Sequence, residues 1–524
     1  MIRSWAGQVT EVVIAGAGPD GLMLACELGL AGVRPVVLDP TPGPNTQPRA
    51  NRIVGQAARI LDHRGLYSAL TGTAEPPKPA SHSLFAGFPL ELADVPGSQL
   101  FVVPVQQHGL VQVLIERADE YDTEIRWGHA VAGFDQDEDG VTVHVTGPDG
   151  AYDLRTKYFV GADGGHSKTR HLAGIEFPGM SSYDLIVRIG FNVVPPDEWV
   201  ASVSDAHLPA QRYYRTDRGV FSCGAMGSRV AVMTYELDSM PRAERRADIA
   251  DEPPMSLAEL ADSVARVLGA DVPLRPVSPD APVDLRRFFG INSRLADRYQ
   301  VGRVMLIGDA AHVHAPIGGP GLNLSLQDGV NLGWKLAAVV SGRAEPALLA
   351  SYETERRPAA ERLIMQTRAQ LALFRPGPEV TALRELFSEL LNESAVVRRI
   401  SDLLSGADNH YTMGDPDAET HPLVGRWVPD FGVASAAGTQ RIAELARDGR
   451  PLLVDLTESG AVAAALTDVR DQLTVAAGRP VGEVAATAVL VRPDGYVAWA
   501  SSQATPDQAE LRELRGELTH WFGI

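Results

Sequence analysis

Apolar runs and strict alternations of polar with apolar residues divide the chain into distinct elements. Residues 11–39 hold the apolar run Val12-Val13-Ile14, a helical stretch from Gly21 to Gly32, and a second run, Val36-Val37-Leu38. Continuous apolar runs mark strands buried on both faces, so the segment predicts a βαβ unit. Residues 141–146 alternate, Gly147-Pro148-Asp149-Gly150 supplies turn chemistry, and residues 152–156 return, which predicts a hairpin. Residues 157–160 read as a further strand ending at Gly161-Ala162-Asp163-Gly164. From about Met180 to Pro282 the pattern turns β-rich, with Phe191, Trp199, Tyr213, Tyr214 and Phe221 concentrated there. Residues 303–307 predict a strand running into Gly308-Asp309, and residues 321–340 a helix. Residues 353–404 continue helical with many Arg and Glu, and the Asp/Asn/Gly-rich stretch 406–419 reads as a linker. Beyond it lies a separate α/β pattern: a strand at Leu452-Leu453-Val454, a helix near Ala461, and a hairpin over 488–499 turning at Pro493-Asp494-Gly495. No internal repeat is present.

A length of 524 residues predicts two or three packed units, and 45% hydrophobic with 22% charged residues suits a globular enzyme with a large core. The net charge of −19 argues against a nucleic-acid surface, which needs clustered Lys and Arg. Two cysteines, Cys26 and Cys223, form neither a disulfide framework nor a CxxC pair. No stretch approaches the roughly 18 uncharged apolar residues that span a bilayer, and residues 1–10 lack the apolar core of a secretory signal. The expectation is a soluble cytoplasmic protein, monomer or homodimer, with no membrane or nucleic-acid partner.

Chemistry enters with Gly16-Ala17-Gly18-Pro19-Asp20-Gly21, a GxGxxG between strand and helix. Gly16 permits the tight turn, Gly18 lets backbone approach a pyrophosphate, and Gly21 lets helix pack on strand. The helix N-terminus then presents N–H groups to the phosphates. Asp39 ends the second strand, where a carboxylate can accept from ribose hydroxyls. The plainer reading is a glycine-rich turn with Asp39 on the surface. Asp20 is anomalous, because a carboxylate at the helix mouth repels phosphate unless it points away.

Two further segments separate FAD from NAD. Gly161-Ala162-Asp163-Gly164-Gly165-His166-Ser167-Lys168-Thr169-Arg170 resembles the DG motif of flavoprotein hydroxylases. Gly308-Asp309-Ala310-Ala311-His312 resembles their GD motif, followed by Pro316-Ile317-Gly318-Gly319-Pro320-Gly321-Leu322-Asn323. With three motifs in this order, the chain resembles the group A FAD-dependent aromatic hydroxylases of the para-hydroxybenzoate hydroxylase superfamily, and more narrowly their polyketide and phenol hydroxylase branch. The resemblance implies an α/β fold: a Rossmann-like FAD-binding domain (1–178 and 285–360), a β-rich substrate domain (179–284, with 76–99), a helical connector and linker (361–419), and a thioredoxin-like domain (420–524).

It also implies site residues. Asp309 would accept from the ribityl hydroxyls of FAD, where the plainer role is a cap on a short turn. Gly318, Gly319 and Gly321 would let backbone pass under a flat ring, and the helix beginning near Leu322 and Asn323 would aim N–H groups at the flavin N1/C2 edge. Pro316 would pack near the isoalloxazine. Asp163 and Arg170 would serve FAD and incoming NAD(P)H, unless Asp163 merely caps a turn. Gln47-Pro48-Arg49-Ala50 resembles the segment whose arginine contacts FAD phosphates, and Gln107 falls where a flavin-contacting glutamine is usual. Arg52 lies three residues after Arg49, so that one would face the ring and the other the phosphate, with Arg52 and Pro316 the catalytic candidates, unless either arginine is a solvated loop residue. His312 and His314 could suggest a metal, but no third ligand lies nearby and the segment already matches the GD motif. Cys26, inside the first helix, reads as a core residue. His421-Pro422-Leu423-Val424-Gly425-Arg426 and residues 491–499 resemble the branch's thioredoxin-like appendage; without CxxC its expected role is packing.

The activity implied is a monooxygenase using NADPH or NADH and O₂, in which oxygen adds at flavin C4a and the hydroperoxide hydroxylates a polycyclic aromatic polyketide. The cofactor carries the reaction while the protein aims it and excludes water. The branch also contains Baeyer–Villiger enzymes that form lactones, and fold alone does not separate the two. An FAD dehydrogenase or a non-catalytic flavin binder would share the glycine motif but consume no oxygen.

Overall fold

A computed structural model describes residues 9–45, 52–195, 211–226, 229–237, 253–280, 282–414 and 420–524. The apolar run of the first strand, β1 (Val9–Ala15), divides by parity: Val12 and Ile14 enter one core, Val13 and Ala15 the other. That is the burial expected of a strand covered on both faces. Helix α1 (Pro19–Leu30) follows, then β2 (Val36–Asp39), helix α2 (Gln107–Glu120), β3 (Glu124–Trp127), β4 (Ala130–Gln136), β5 (Val141–Gly147) and β6 (Gly150–Gly161). The expected hairpin and the strand after it are one element. β6 pairs antiparallel with β5 along its first half and parallel with β1 from Arg155 onward.

The second sheet comprises β7 (Gly179–Phe191), β8 (Gln211–Thr216), β9 (Gly219–Met226), β10 (Arg229–Leu237), β11 (Asp284–Leu295) and, further along the chain, β14 (His312–Val313). Its described strands run β8-β9-β10-β7-β11-β14, all antiparallel. Strand β11 thus belongs to this sheet through Leu295, ten residues past the boundary expected at 285, because its register with β7 extends from Gly179↔Arg294 to Phe191↔Asp284. Helix α3 (Leu257–Leu268) covers one face, packing Leu260, Val264 and Val267 on Phe221 and Val232. The other face, with Leu185, Val187, Met233 and Tyr235, meets Phe85, Phe88, Ala315 and Ile317.

Strands β12 (Gln300–Val301) and β13 (Val304–Leu306) return the chain to the first sheet, whose order is β12-β13-β6-β1-β2-β3 with β5 and β4 attached through β6. Helix α4 (Gly321–Val340) spans the residues its pattern predicts. Gly329 and Gly333 let α1 lie against it: a Cβ at Gly333 would fall 2.4 Å from that of Glu27. The helical region beyond is three helices, α5 (Ala350–Phe374), α6 (Pro378–Leu390) and α7 (Ser394–Ser405). Arg375-Pro376-Gly377 causes the first break, with Gly377 at φ +118° and Pro378 opening α6.

The C-terminal unit has strands β15 (Leu452–Asp455), β16 (Thr474–Ala477), β17 (Ala488–Val491) and β18 (Val497–Ser501), ordered β16-β15-β17-β18, and helix α8 (Gln508–Phe522). Trp521 and Phe522 of α8 pack on Trp334 of α4. Among the described residues no helix is long and apolar enough to cross a membrane.

Candidate functional site

Strands β1, β6 and β13 are adjacent and parallel, with Ala15 beside Gly161 and Gly161 beside Leu306. The three motif loops therefore leave the same edge of the sheet side by side. The connection order reverses around β1, and the crevice at the carboxyl ends of such strands is where nucleotides bind in open α/β sheets.

The glycines fit a nucleotide. At Gly16 (φ +110°) a Cβ would lie 2.2 Å from the Ala162 carbonyl oxygen, and at Gly21 2.1 Å from the Gly16 carbonyl oxygen. Both are demanded by the protein's own packing. At Gly18 the nearest atom within 4 Å is an Asp20 carboxylate oxygen, so that turn is open on its outer side. Asp39 accepts from the Ala17 N–H at 2.8 Å and the Thr41 N–H at 2.9 Å, and so shapes the loop from β2.

The DG segment is largely self-contained. Asp163 accepts from the Ser167 hydroxyl, the Thr169 N–H (2.9 Å) and the Thr169 hydroxyl (3.0 Å), capping the short helix Lys168–Leu172. Arg170 donates to the Ala310 carbonyl at 2.9 Å and the Gly165 carbonyl at 3.1 Å, with its guanidinium 3.8 Å from the Phe177 ring centroid. These bonds hold the DG loop to the GD loop.

Asp309 behaves differently: it is exposed and makes no hydrogen bond or ion pair with the described residues, although its charge reaches His314 and Asp20. Gly308 before it stands at φ +61°, its N–H donating to Asp328 at 3.2 Å. His312 bonds Asp328 through Nε2 at 2.7 Å, and His314 contacts the Ala315 carbonyl through Nδ1 at 2.8 Å, so each histidine has a protein partner. Burial pushes the His314 imidazole below its ordinary pKa, against the pull of Asp309. Among the described residues no group of three His, Cys, Asp or Glu could hold a metal.

Pro316 is exposed at the start of the next loop. A Cβ built at Gly318 (φ +77°) or Gly319 (φ +69°) would meet nothing closer than 3.8 Å, so the backbone is uncovered on the side a side chain would take. Gly321 is required for another reason, since a Cβ there would come within 2.5 Å of His314 Nε2. Leu322 is in the first turn of α4, and Asn323 is buried, accepting from the Val54 N–H at 2.6 Å and donating to the Gly319 carbonyl at 3.0 Å. Asn323 thus pins the glycine loop. Gln107 is the first residue of α2. Arg49 lies outside the described residues.

Arg52 is half-buried, and its Nε is buried with no hydrogen-bond partner among the described residues, 3.8 Å from where a Gly319 Cβ would be. Its charge also reaches Tyr213 on β8: burial raises the Tyr213 phenol and Arg52 draws it back. Tyr213 stacks on Phe374 with centroids 5.7 Å apart. The sequence pointed only to an aromatic cluster here; nothing local sets Tyr213 apart from Tyr214, and only the sheet brings it to Arg52.

Asp20 sits between the helix mouth and the GD turn: one carboxylate oxygen is 2.9 Å from where a Gly18 Cβ would stand, and the other is 2.1 Å from where a Gly308 Cβ would stand, beneath the GD turn. Burial, then the nearby charge of Asp309, pushes its carboxyl up to about 7.

Residues 9–367 match the family model described as FAD binding domain, and residues 421–524 the model described as aromatic-ring hydroxylase, C-terminal. The chain is 37% identical over 526 residues to the 12-dehydrotetracycline 5-monooxygenase/anhydrotetracycline 6-monooxygenase of Streptomyces rimosus, covering 98% of this chain and 99% of that protein. Among solved structures it is similar to the anhydrotetracycline hydroxylase OxyS of Streptomyces rimosus (TM-score 0.83, 35% identity, covering 99% and 100% of the two chains). It is also similar to CabE, an aromatic hydroxylase from angucycline biosynthesis (TM-score 0.82, 34% identity, covering 98% and 99%). With the three motif loops leaving one sheet edge side by side, these matches establish that the chain belongs to the family of FAD-dependent aromatic-ring hydroxylases and is an FAD-dependent monooxygenase.

Proposed function

We propose that the protein hydroxylates a polycyclic aromatic substrate of polyketide type, with NADPH or NADH as reductant and O₂ as oxygen source. FAD, when bound, would supply the redox chemistry, hydride acceptance and oxygen activation. The chain's residues do the rest. Residues 16–21 and Asp39 are suited to the ADP half, and the unpartnered Asp309 carboxylate to the ribityl hydroxyls. Residues 318–319 run directly into the N-terminus of α4, whose partial positive charge would favour negative charge on a reduced ring.

The observation that carries the reading is where that loop lies. Ala315 and Ile317 belong to the same apolar cluster as the inner face of the substrate sheet, with Phe85, Phe88 and Phe374. A flat substrate between sheet and loop would meet apolar walls that exclude water, with Arg52 and Tyr213 as the polar groups at hand. We assign Arg52 to orienting an anionic or phenolate oxygen of the substrate. The names of the relatives, which refer to anhydrotetracycline and to angucycline biosynthesis, support several fused rings over one.

The test compares NAD(P)H oxidation by the FAD-loaded protein with tetracyclic phenols and with 4-hydroxybenzoate. Stimulation by the tetracyclic compounds alone is expected. Equal or greater stimulation by the monocyclic acid would overturn the assignment.

A further inference from the structure

A buried polar chain runs from the C-terminal unit to the GD turn. Arg356 on α5 is fully buried and donates through Nε to Asp328 at 2.8 Å and through a terminal nitrogen to the Tyr411 hydroxyl at 2.9 Å. Its other terminal nitrogen reaches the Leu324 carbonyl in the first turn of α4 at 3.3 Å. The second oxygen of Asp328 accepts from the Gly308 N–H and meets His312. At the far end Tyr411 stacks on Tyr496 of the C-terminal unit with centroids 3.9 Å apart. The neighbouring residues on both helices clasp the same turn of that unit: Arg492 pairs with both oxygens of Glu355 at 2.7 and 2.8 Å, and Asn331 donates to Asp494 at 2.9 Å. Burial works against the Asp328 carboxylate, yet the charges of Arg356 and His312 hold it below the usual carboxylate range.

We infer that Tyr411, Arg356 and Asp328 form a positioning relay through which the C-terminal unit sets the conformation of Gly308 and Asp309, and with it the affinity for the flavin half of FAD. Gly308 sits in a left-handed conformation that its N–H bond to Asp328 helps to hold, and Asp328 is oriented on its other oxygen by Arg356. Among the described residues Arg356 bonds Asp328, Gln327, the Leu324 carbonyl and Tyr411, and Tyr411 is stacked in place by Tyr496 of the C-terminal unit. The C-terminal unit therefore contributes to cofactor binding without touching the cofactor. The inference rests on the assignment of Asp309 to the ribityl chain.

The test measures dissociation constants of FAD and of ADP for the full-length apoprotein. Tyr411→Phe removes one hydroxyl and keeps the stack. It should weaken FAD about three- to tenfold and leave ADP, which needs only residues 16–21 and Asp39, within about twofold. Arg356→Lys, which keeps the charge but loses the fork, should do the same. In an Asp309→Ala background neither change should weaken FAD further, since residues acting through one contact are not additive. Tyr411→Phe and Arg356→Lys that leave FAD affinity unchanged, or weaken FAD and ADP equally, would overturn the relay. Asp309→Ala without effect on FAD would instead overturn the ribityl assignment.

Discussion

Replacing Asp20 by Asn removes one ionisable group beneath the GD turn and changes almost nothing in shape. Asp20 is 8% exposed, and burial with the nearby Asp309 charge raises its carboxyl to about 7 from an ordinary 3.8. The folded protein therefore keeps this proton at pH values where the unfolded chain has lost it. Below about 4 both states are protonated and the group contributes nothing. Between about 4 and 7 the unfolded state alone ionises, so stability falls as pH rises, and above 7 the penalty is constant. At about 1.4 kcal/mol per unit, a shift of about three units costs roughly 4 kcal/mol. Allowing for imperfect accommodation of the amide, Asp20→Asn should stabilise the protein by about 2–4 kcal/mol at pH 8 and by nearly nothing at pH 4.5. Thermal unfolding across pH 4.5–8.5 measures it. Affinity for FAD gives a second reading, because an ionised Asp20 between Gly18 and Gly308 repels the pyrophosphate: affinity should decline above pH 7 in the natural protein and stay level in the variant. A variant less stable at pH 8, or one retaining the natural pH profile, would refute the placement of a neutral carboxyl there.

Three other outcomes follow from the same geometry. Gly16→Ala places a methyl 2.2 Å from the Ala162 carbonyl oxygen at a φ of +110°, so the purified protein should lose most of its flavin, read from its visible absorbance. Arg492→Met leaves Glu355 and Asp494 buried with one cation fewer, so a loss of about 3–5 kcal/mol is expected in chemical denaturation, with the C-terminal unit the first region to become sensitive to protease. Arg52→Ala should keep FAD while raising KM for a phenolic substrate about tenfold or more, measured by steady-state NAD(P)H oxidation.

What could be read from the sequence was set by short-range constraints. The GxGxxG, DG and GD segments stand out because backbone at Gly16, Gly21 and Gly308 tolerates no side chain, and such demands are written within a few residues. Helix α4 was legible over its whole length for a similar reason: its apolar pattern is long and uninterrupted. Asp163 illustrates the limit, since one carboxylate at a strand end can serve a ligand or cap the next helix, and here it makes three bonds inside its own loop. Asp328 and Arg356 lie 28 residues apart on different helices and carry no local signature, so their pairing is visible only in three dimensions. The same holds for Arg52 and Tyr213, joined by the docking of a sheet against a loop. Strand β11 runs across position 285 within the substrate sheet, because pairing, not composition, decides which sheet a strand joins.

The most direct test of the central claim follows labelled oxygen into the product. FAD-loaded protein is supplied with NAD(P)H, ¹⁸O₂ and the tetracyclic phenol that best stimulates turnover, and the product is examined by mass spectrometry and carbon NMR. One ¹⁸O atom on a new phenolic or carbinol carbon is the predicted result. An ester carbonyl in place of a ketone would contradict hydroxylation in favour of lactone formation, and unlabelled product would contradict oxygen transfer altogether.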